Sequence, residues 1–253
     1  MKIIALETST QPGSIAAAID GTVEIERNLP RSQKTAESFA SELKRMLGEL
    51  DWAPTDVDVI AVCEGPGSFT GVRIGVTVAK TFAYATGASV VAPSTMRVLA
   101  CQAKSVANNN VANNNVANNN AANNNEVWCV IDAQRREVFA SLYRRESQTQ
   151  SLIEVEPTEI YSRSEWLAKL KPGQIVIGEG LDKFQVDVLS HVTVCDQSTW
   201  APRASALAIT AFELHREGET GDAWKLAPKY YRKSAAEEKL GNNSLPTSSR
   251  PIC

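Results

Sequence analysis

Histidine and paired cysteine, which most often build metal and redox sites, are scarce in this sequence. The only histidines, His191 and His215, have no second histidine at helical spacing, which excludes a histidine-based metal site. The five cysteines are far apart and form no C-x-x-C pair, a pattern that favours reduced thiols. Cys63 and Cys129 lie in apolar, strand-like runs, so we expect small buried side chains rather than nucleophiles or ligands.

Excess positive charge and long apolar runs are missing as well. The formal net charge is -3 and the isoelectric point about 5.6, so no overall electrostatic attraction to nucleic acid or to anionic membranes is expected. Glu7 comes too early for the core of a signal peptide, and no apolar run approaches the roughly 18 residues of a membrane helix. We therefore expect a cytoplasmic protein without a membrane partner.

Of the 253 residues, 43% are hydrophobic and 22% are charged, which is typical of a globular chain with one large or two modest cores. Residues 106–125 differ, because Val-Ala-Asn-Asn-Asn recurs there with a period of five that matches neither helix nor strand. Such units bury too little to offset their ordering entropy, so we predict a flexible insertion. An aggregation-prone asparagine tract is the weaker alternative, since the tract is short and lacks aromatic residues.

The most constrained stretch is residues 65–75, with the sequence GPGSFTGVRIG. Gly67, Gly71 and Gly75 recur at every fourth residue and would line one helical face without side chains, so another backbone can approach closely. A phosphate cradle is the alternative, resting on backbone amides at a helix start. The stretch lacks the Lys-Ser/Thr pair of a P-loop and the last glycine of G-x-G-x-x-G, so close packing is favoured.

The residues around this stretch predict a strand and a helix. Residues 57–62 alternate and then become apolar, as in a strand that enters a buried sheet. Residues 71–86 are apolar on nearly every side, with Arg73 and Lys80 the only charges, which is typical of a helix covered all round. One face can lie on the parent sheet, so the other needs a second layer of the same protein or another subunit.

The predicted elements occur in two similar sets. In the first set, strands at 2–6, 14–19 and 22–28 precede a helix from Thr35 to Leu50, the strand at 57–62, the helix at 71–86 and a strand at 89–92. In the second, strands at 127–133, 137–144 and 152–156 precede a helix capped by Ser164, a strand at 174–177, a helix at 181–189, a strand at 192–195 and a helix at 203–217.

This duplication predicts an α/β fold of two lobes, the mixed-sheet architecture of the actin-like (ribonuclease-H-like) superfold. The expected organisation is a first lobe over residues 1–105 and the insertion over 106–125. A second lobe follows over 126–240, with its last helix packed back on the first lobe. A disordered tail spans 241–253, where proline, serine and threonine are frequent.

Four segments together resemble the TsaB (also called YeaZ) family: GPGSFTGVRIG, the opening IIALETST, the strand-turn-strand VIDAQRREVFASLY and the late PKYYRK. The resemblance covers nearly the whole chain outside the asparagine-rich insertion and the tail. It implies a non-catalytic subunit that acts as a platform in bacterial threonylcarbamoyladenosine modification of tRNA. The complex moves a threonylcarbamoyl group to the adenosine beside the anticodon of tRNAs that read codons beginning with A.

The resemblance also implies partners. Members of the family pair with the catalytic subunit TsaD through the two helices of the first lobe, the ATPase TsaE joins them, and tRNA is reached through the complex. Without its partner, the same apolar surface would form a homodimer. By this analogy the interface consists of Phe39, Leu43, Met46, Gly67, Phe69, Gly71, Val72, Arg73, Gly75, Val76 and Ala79.

The nucleotide site of the actin-like fold is degenerate in this family, so the chain is expected to have no catalytic residue, no metal and no cofactor of its own. ATP or ADP would belong to an interface with the partners. The corresponding positions here are Glu7, Thr8, Ser9 and Asp132. Glu7 replaces the aspartate that is common in actin-like kinases, and a longer carboxylate would sit differently relative to phosphate and Mg²⁺.

Two alternatives remain open from the residues. A free-standing actin-like phosphotransferase or ATPase would use Glu7, Asp132 and the hydroxyls of Thr8 and Ser9, although the sequence offers no identifiable nucleophile. The basic and aromatic stretch at 224–233 would contact RNA by stacking. A terminal segment docked by its aromatic side chains is the favoured interpretation of that stretch.

Overall fold

The computed structural model describes residues 1–29, 35–112, 125–146, 151–184, 189 and 191–232, without the side chains of residues 35–38 and 104–112. The strands are β1 Lys2–Glu7, β2 Ser14–Ile19, β3 Thr22–Asn28, β4 Val59–Val62, β5 Ser89–Val91, β6 Glu126–Gln134, β7 Glu137–Arg145, β8 Leu152–Ser162, β9 Ile175–Ile177 and β10 Thr193–Val194. The helices are α1 Thr35–Glu49, α2 Phe69–Thr86, α3 Thr95–Ala112, α4 Arg163–Lys169 and α5 Ala204–Arg216.

The strands form two five-stranded sheets with the same topology. The first has the order β3-β2-β1-β4-β5, and the second, taken in the matching direction, has the order β8-β7-β6-β9-β10. In each sheet the first three strands of the set pair antiparallel and the last two add parallel strands. The predicted duplicated, actin-like fold of two lobes is confirmed by this repeat.

Both faces of the first sheet are covered. Alternating residues of β1 face opposite layers, with Ile4 and Leu6 packed under α1 and α2 and with Ile3 and Ala5 packed under α5. Helix α5 belongs to the second half of the chain but lies on the first sheet. We call the first sheet with α1 and α2 the first lobe, and the second sheet with α4 the second lobe.

Helix α3 was not predicted from the sequence. Its residues Met96, Leu99 and Ala100 pack on the second sheet, while Val98 packs on the first, so the helix is buried between the lobes. A helix that is buried on opposite sides lacks an amphipathic repeat, which is why its sequence gave no helical signal.

Three other predictions need correction. Ser162, not Ser164, caps α4, because its side chain accepts a hydrogen bond from the Glu165 amide while the Glu165 carboxylate accepts one from the Ser162 amide. Of the helix predicted at 181–189, the structure shows a 3-10 helix over Glu179–Lys183, whereas residues 185–188 lie outside the described ranges. Strand β8 extends to Ser162 because it pairs with β7 along its whole length.

Some predictions fall on residues outside the described ranges. Helix α3 enters the asparagine-rich segment as far as Ala112, while residues 113–124 and the tail at 241–253 lie outside the description, so both flexible segments remain predictions. Cys63 and Cys129 are buried and take part in no disulfide, as expected. None of the described helices is long and apolar enough to cross a membrane.

Candidate functional site

The glycine-rich segment packs tightly, and its neighbour is the loop that follows β1 in the same chain. A Cβ atom at Gly71 would lie 2.0 Å from the Thr8 carbonyl oxygen, and one at Gly75 would lie 2.3 Å from Thr8 Oγ1. A Cβ atom at Gly67 would lie 2.4 Å from the Ser9 carbonyl oxygen. The predicted close approach of a backbone is therefore confirmed, and the approaching backbone belongs to residues 8 and 9.

Hydrogen bonds hold the glycine-rich segment in place at the start of α2. The Ser68 amide donates to the Ser9 carbonyl oxygen at 2.7 Å, and the Ser68 hydroxyl accepts from the Gly71 amide at 3.2 Å as the N-cap of α2. Amides at the start of α2 thus already have partners within the chain, which weakens the alternative of a phosphate cradle at this helix end.

Glu7 is fully buried at the end of β1. Its Oε1 accepts hydrogen bonds from the Ser9 amide at 2.6 Å and from the Ser9 hydroxyl at 2.5 Å. Burial is the main influence on the pKa of Glu7 and raises it, while hydrogen bonds from Cys63 and Ser9 oppose the shift. A buried carboxyl folded back on its own loop is a structural group and not a ligand held out toward solvent.

A cleft of about 820 Å³ separates the two lobes at the carboxyl ends of β1 and β6. Of the predicted nucleotide positions, Ser9 and Asp132 line this cleft, whereas Glu7 and Thr8 lie beneath its wall. The hydroxyl oxygen of Thr8 is buried and has no hydrogen-bond partner among the described residues. Glu179, which was not predicted from the sequence as a site residue, also lines the cleft.

The two carboxylates in the cleft, Asp132 and Glu179, both come from the second half of the chain. Asp132 accepts a hydrogen bond from the Gln134 amide at 2.9 Å and lies 3.6 Å from Lys183 Nζ. Burial, followed by the negative charges of Asp132 and Asp182, raises the pKa of Glu179. Within the described ranges, no three histidine, cysteine, aspartate or glutamate side chains are arranged to hold a metal ion.

The turn between β6 and β7 is the second wall of the cleft. Gln134, Arg135 and Arg136 have φ angles of 63°, 52° and 65°, in the left-handed region that favours glycine, although the turn contains none. Because Glu7 folds inward and the β1 loop packs against α2, neither is available in this cleft to a Mg²⁺-bound phosphate group.

Residues 221–232 form an extended segment, here called the strap, that links both lobes across α2. It starts beside β5, where the Gly221 amide donates to the Val90 carbonyl oxygen at 2.7 Å. Lys80 of α2 then donates to the carbonyl oxygens of Trp224 at 3.1 Å and of Leu226 at 3.0 Å. The strap is thus fixed to α2 through its backbone.

The end of the strap forms the mouth of the cleft. The Lys229 amide donates to the Glu64 carbonyl oxygen at 2.8 Å, and Arg73 Nε donates to the Tyr230 hydroxyl at 2.6 Å. Arg232 donates to the Ala133 carbonyl oxygen at 2.8 Å and pairs with Glu137. The favoured interpretation of a docked terminal segment agrees with these contacts.

The structure divides the predicted interface residues into three groups. One group is buried in the core of the first lobe beneath the helix surface: Phe39, Met46, Val72, Val76 and Ala79. The glycines at 67, 71 and 75 face the β1 loop. Leu43 is partly buried, and Phe69 and Arg73 are exposed on the side of α2 that carries the strap.

The exposed side of α2 that does not contact the strap, here called its outer face, carries no charged side chain. Its exposed residues are Thr70, Thr77, Thr81 and Ala85, and it is flanked by the partly exposed Ile74, Val78 and Phe82. The two charged residues of α2, Arg73 and Lys80, both contact the strap. An uncharged outer face is unusual for a surface helix and typical of the centre of a protein interface.

Comparison with known proteins gives consistent matches. The family model described as TsaD, tRNA N6-adenosine threonylcarbamoyltransferase, matches residues 30–185. The chain is 30% identical over 246 residues to the tRNA threonylcarbamoyladenosine biosynthesis protein TsaB of Bacillus subtilis (strain 168), covering 94% of this chain and 97% of that protein. It is 25% identical over 248 residues to the protein of the same name from Escherichia coli (strain K12), covering 95% and 98%.

Solved structures match in fold. YeaZ from Pseudomonas aeruginosa superposes with a TM-score of 0.74 at 24% identity, covering 90% of this chain and 99% of that chain. A P. aeruginosa protein described as similar to the peptidase YeaZ gives a TM-score of 0.74 at 23% identity, covering 91% and 99%. These likenesses extend over both lobes.

Proposed function

The chain belongs to the TsaB (YeaZ) family, and from that premise we propose a non-catalytic scaffold and activator role in tRNA threonylcarbamoyladenosine biosynthesis. Its complex transfers a threonylcarbamoyl group to the adenosine beside the anticodon of tRNAs that read codons beginning with A. The chain itself supplies a surface on which the catalytic, TsaD-like subunit is held in its productive arrangement.

The outer face of α2 carries this proposal. Exposed helix faces usually bear charges, and an interface core is depleted of them because desolvating an unpaired charge is costly. Thr77, Thr81 and Val78 present a small, uncharged surface that a second helix can approach. The exposed side of α1 is different, because Arg45 there forms ion pairs with Glu42 and Glu49. We therefore place the centre of the contact on α2 and its rim on α1.

The buried Glu7 supports the non-catalytic part of the proposal. A buried, inward-folded carboxyl is not available to hold Mg²⁺ or to activate water in the cleft, and α2 packs against the loop after β1. ATP or ADP would then bind at a boundary with the partners, where a TsaE-like ATPase joins. The complex would act in the cytoplasm and reach tRNA jointly, and the chain alone would form a homodimer through the same face.

The test is a titration of the chain with the TsaD-like subunit of the same organism. Thr77→Arg places a bulky charge at the centre of the outer face, and we expect its dissociation constant to rise at least about thirtyfold. Thr193→Arg is the matched control, since this exposed threonine lies on β10 of the second lobe. Equal affinities of the Thr77→Arg variant and wild type would show that α2 is not the contact surface.

A further inference from the structure

An aromatic strip runs along the strap side of α2, next to its outer face. Phe69 and Tyr230 are 44% and 48% exposed and their ring centroids lie 5.1 Å apart; Tyr84 and Trp224 are 73% and 72% exposed, also with centroids 5.1 Å apart. Clustered exposed rings are typical of contact surfaces, because apolar rings that stay in water contribute no stability to the fold.

The Tyr84–Trp224 end of the strip is held rigidly. Lys80 binds the carbonyl oxygen of Trp224, and the Trp224 amide donates to Asp222 Oδ1 at 2.8 Å. The amides of Lys225 and Leu226 both donate to the Asp222 carbonyl oxygen at 3.0 Å. The backbone at Trp224 is thus fixed while its indole is exposed to solvent. Such preorganisation reduces the conformational entropy lost on binding.

Two kinds of occupant fit aromatic rings of this kind, a protein surface and single-stranded RNA. RNA binding needs cations that are available for phosphate. Here Lys80 is held by the strap carbonyls, Lys225 lies 3.8 Å from Asp222, and Lys229 lies 4.0 Å from Glu64. Arg73 stacks on Phe69 at 3.8 Å and bonds to Tyr230. Lys80 and Arg73 are thus occupied within the chain. Lys225 and Lys229 are exposed but lie beside the carboxylates of Asp222 and Glu64, whose negative charge opposes phosphate, which favours a protein.

We propose that the aromatic strip is the second half of the surface that binds the TsaD-like subunit, with Tyr84 and Trp224 as its anchoring side chains. This inference rests on the proposed function. The strip is continuous with the outer face of α2, since Tyr84 lies less than one turn beyond Thr81 on the same helix. The fitting partner surface is an apolar pocket for the indole of Trp224 and the ring of Tyr84.

The experiment measures the dissociation constant for the TsaD-like subunit with Tyr84→Ala, Trp224→Ala and Trp224→Phe. We expect each alanine variant to bind at least tenfold more weakly and the phenylalanine variant to recover most of the loss. Ile153→Ala is the control, because Ile153 is 45% exposed on β8 of the second lobe. Thermal unfolding of each variant alone shows whether the fold is kept.

Two results would overturn the proposal. In one, Thr77→Arg abolishes pairing while both alanine variants bind like wild type, so the outer face of α2 alone makes the interface. In the other, the alanine variants keep their affinity for the subunit but lose binding of the isolated chain to tRNA, with the steep salt dependence of phosphate contacts. If the Thr77→Arg variant bound the TsaD-like subunit like wild type, that result would instead count against the proposed function itself.

Discussion

Gly71 shows how a single missing side chain decides the geometry of the first lobe. The sequence predicted a close backbone contact here but assigned it to another subunit, because a small-residue stripe does not reveal which backbone approaches. The contact with the Thr8 carbonyl oxygen lies within the chain. A large residue at position 71 would therefore disrupt the fold before it affects any interface.

We predict that Gly71→Ala lowers the free energy of unfolding by about 3 kcal/mol, because its Cβ atom would lie 2.0 Å from a backbone oxygen that cannot move freely. Gly48→Ala is the control within α1, where a Cβ atom meets nothing within 4 Å. It should stabilise the chain by about 0.5–1 kcal/mol. Urea unfolding measures both, and equal stability of Gly71→Ala and wild type would contradict the contact.

The burial of Glu7 predicts that the free energy of unfolding depends on pH. Burial raises its native pKa above the ordinary 4.5, so the folded chain keeps a proton that the unfolded chain loses. The stability contributed by neutral Glu7 is complete below pH 4.5 and is lost as pH rises through the native pKa. Glu7→Gln keeps an Oε1 acceptor for Ser9 without the titration, so its stability relative to wild type should increase from pH 4.5 upward.

Urea unfolding at a series of pH values tests this, with a limiting slope of about 1.4 kcal/mol per pH unit in the difference. Glu24→Gln, at an exposed position on β3, is the control and should run parallel to wild type. If Glu7→Gln also ran parallel to wild type, the buried carboxyl would not titrate as described.

At the scale of elements, the strap connects both lobes although it forms neither a helix nor a strand. Its contacts join α2, the β4 end and the β6–β7 turn, which are distant in sequence. Lys80 contributes two hydrogen bonds from a charged donor to strap carbonyls. The strap therefore depends on α2 for its position.

We predict that Lys80→Met increases amide exchange in residues 221–232 about tenfold, since bonds from a charged donor stabilise local structure by one to a few kcal/mol. Lys225→Met is the control, because the Lys225 side chain is 87% exposed and lies 3.8 Å from Asp222. Hydrogen exchange with mass spectrometry measures both variants. Unchanged protection in Lys80→Met would mean that the strap is held by its aromatic side chains instead.

The elements that were predicted correctly are those with a clean local pattern. Strands β2 and β3, joined by Asp20-Gly21, match their predicted bounds because alternation and turn residues agree. Helix α3 was missed because contacts from both lobes erase its periodicity. The cleft residue Glu179 was missed because only the tertiary fold brings it opposite Ser9 and Asp132.

At the scale of the whole molecule, the duplicated lobes retain an actin-like cleft while the first-lobe loop is closed by the chain itself. The sequence motifs identified the family, and the repeated sheet order follows from the same element order in both halves. The position of the interface could not be read from apolarity alone, because Phe39, Met46 and Val76 serve the core. Side chains that serve the core are buried in the folded helix, whereas side chains available to a partner are exposed.

The most direct test is threonylcarbamoyl transfer to tRNA in a reconstituted reaction with the TsaD-like and TsaE-like subunits. The account predicts that Thr77→Arg reduces the rate to the level found without this chain, whereas the cleft variant Asp132→Asn with Glu179→Gln keeps at least about half of the wild-type rate. A cleft variant that abolishes transfer, together with a fully active Thr77→Arg variant, would contradict it.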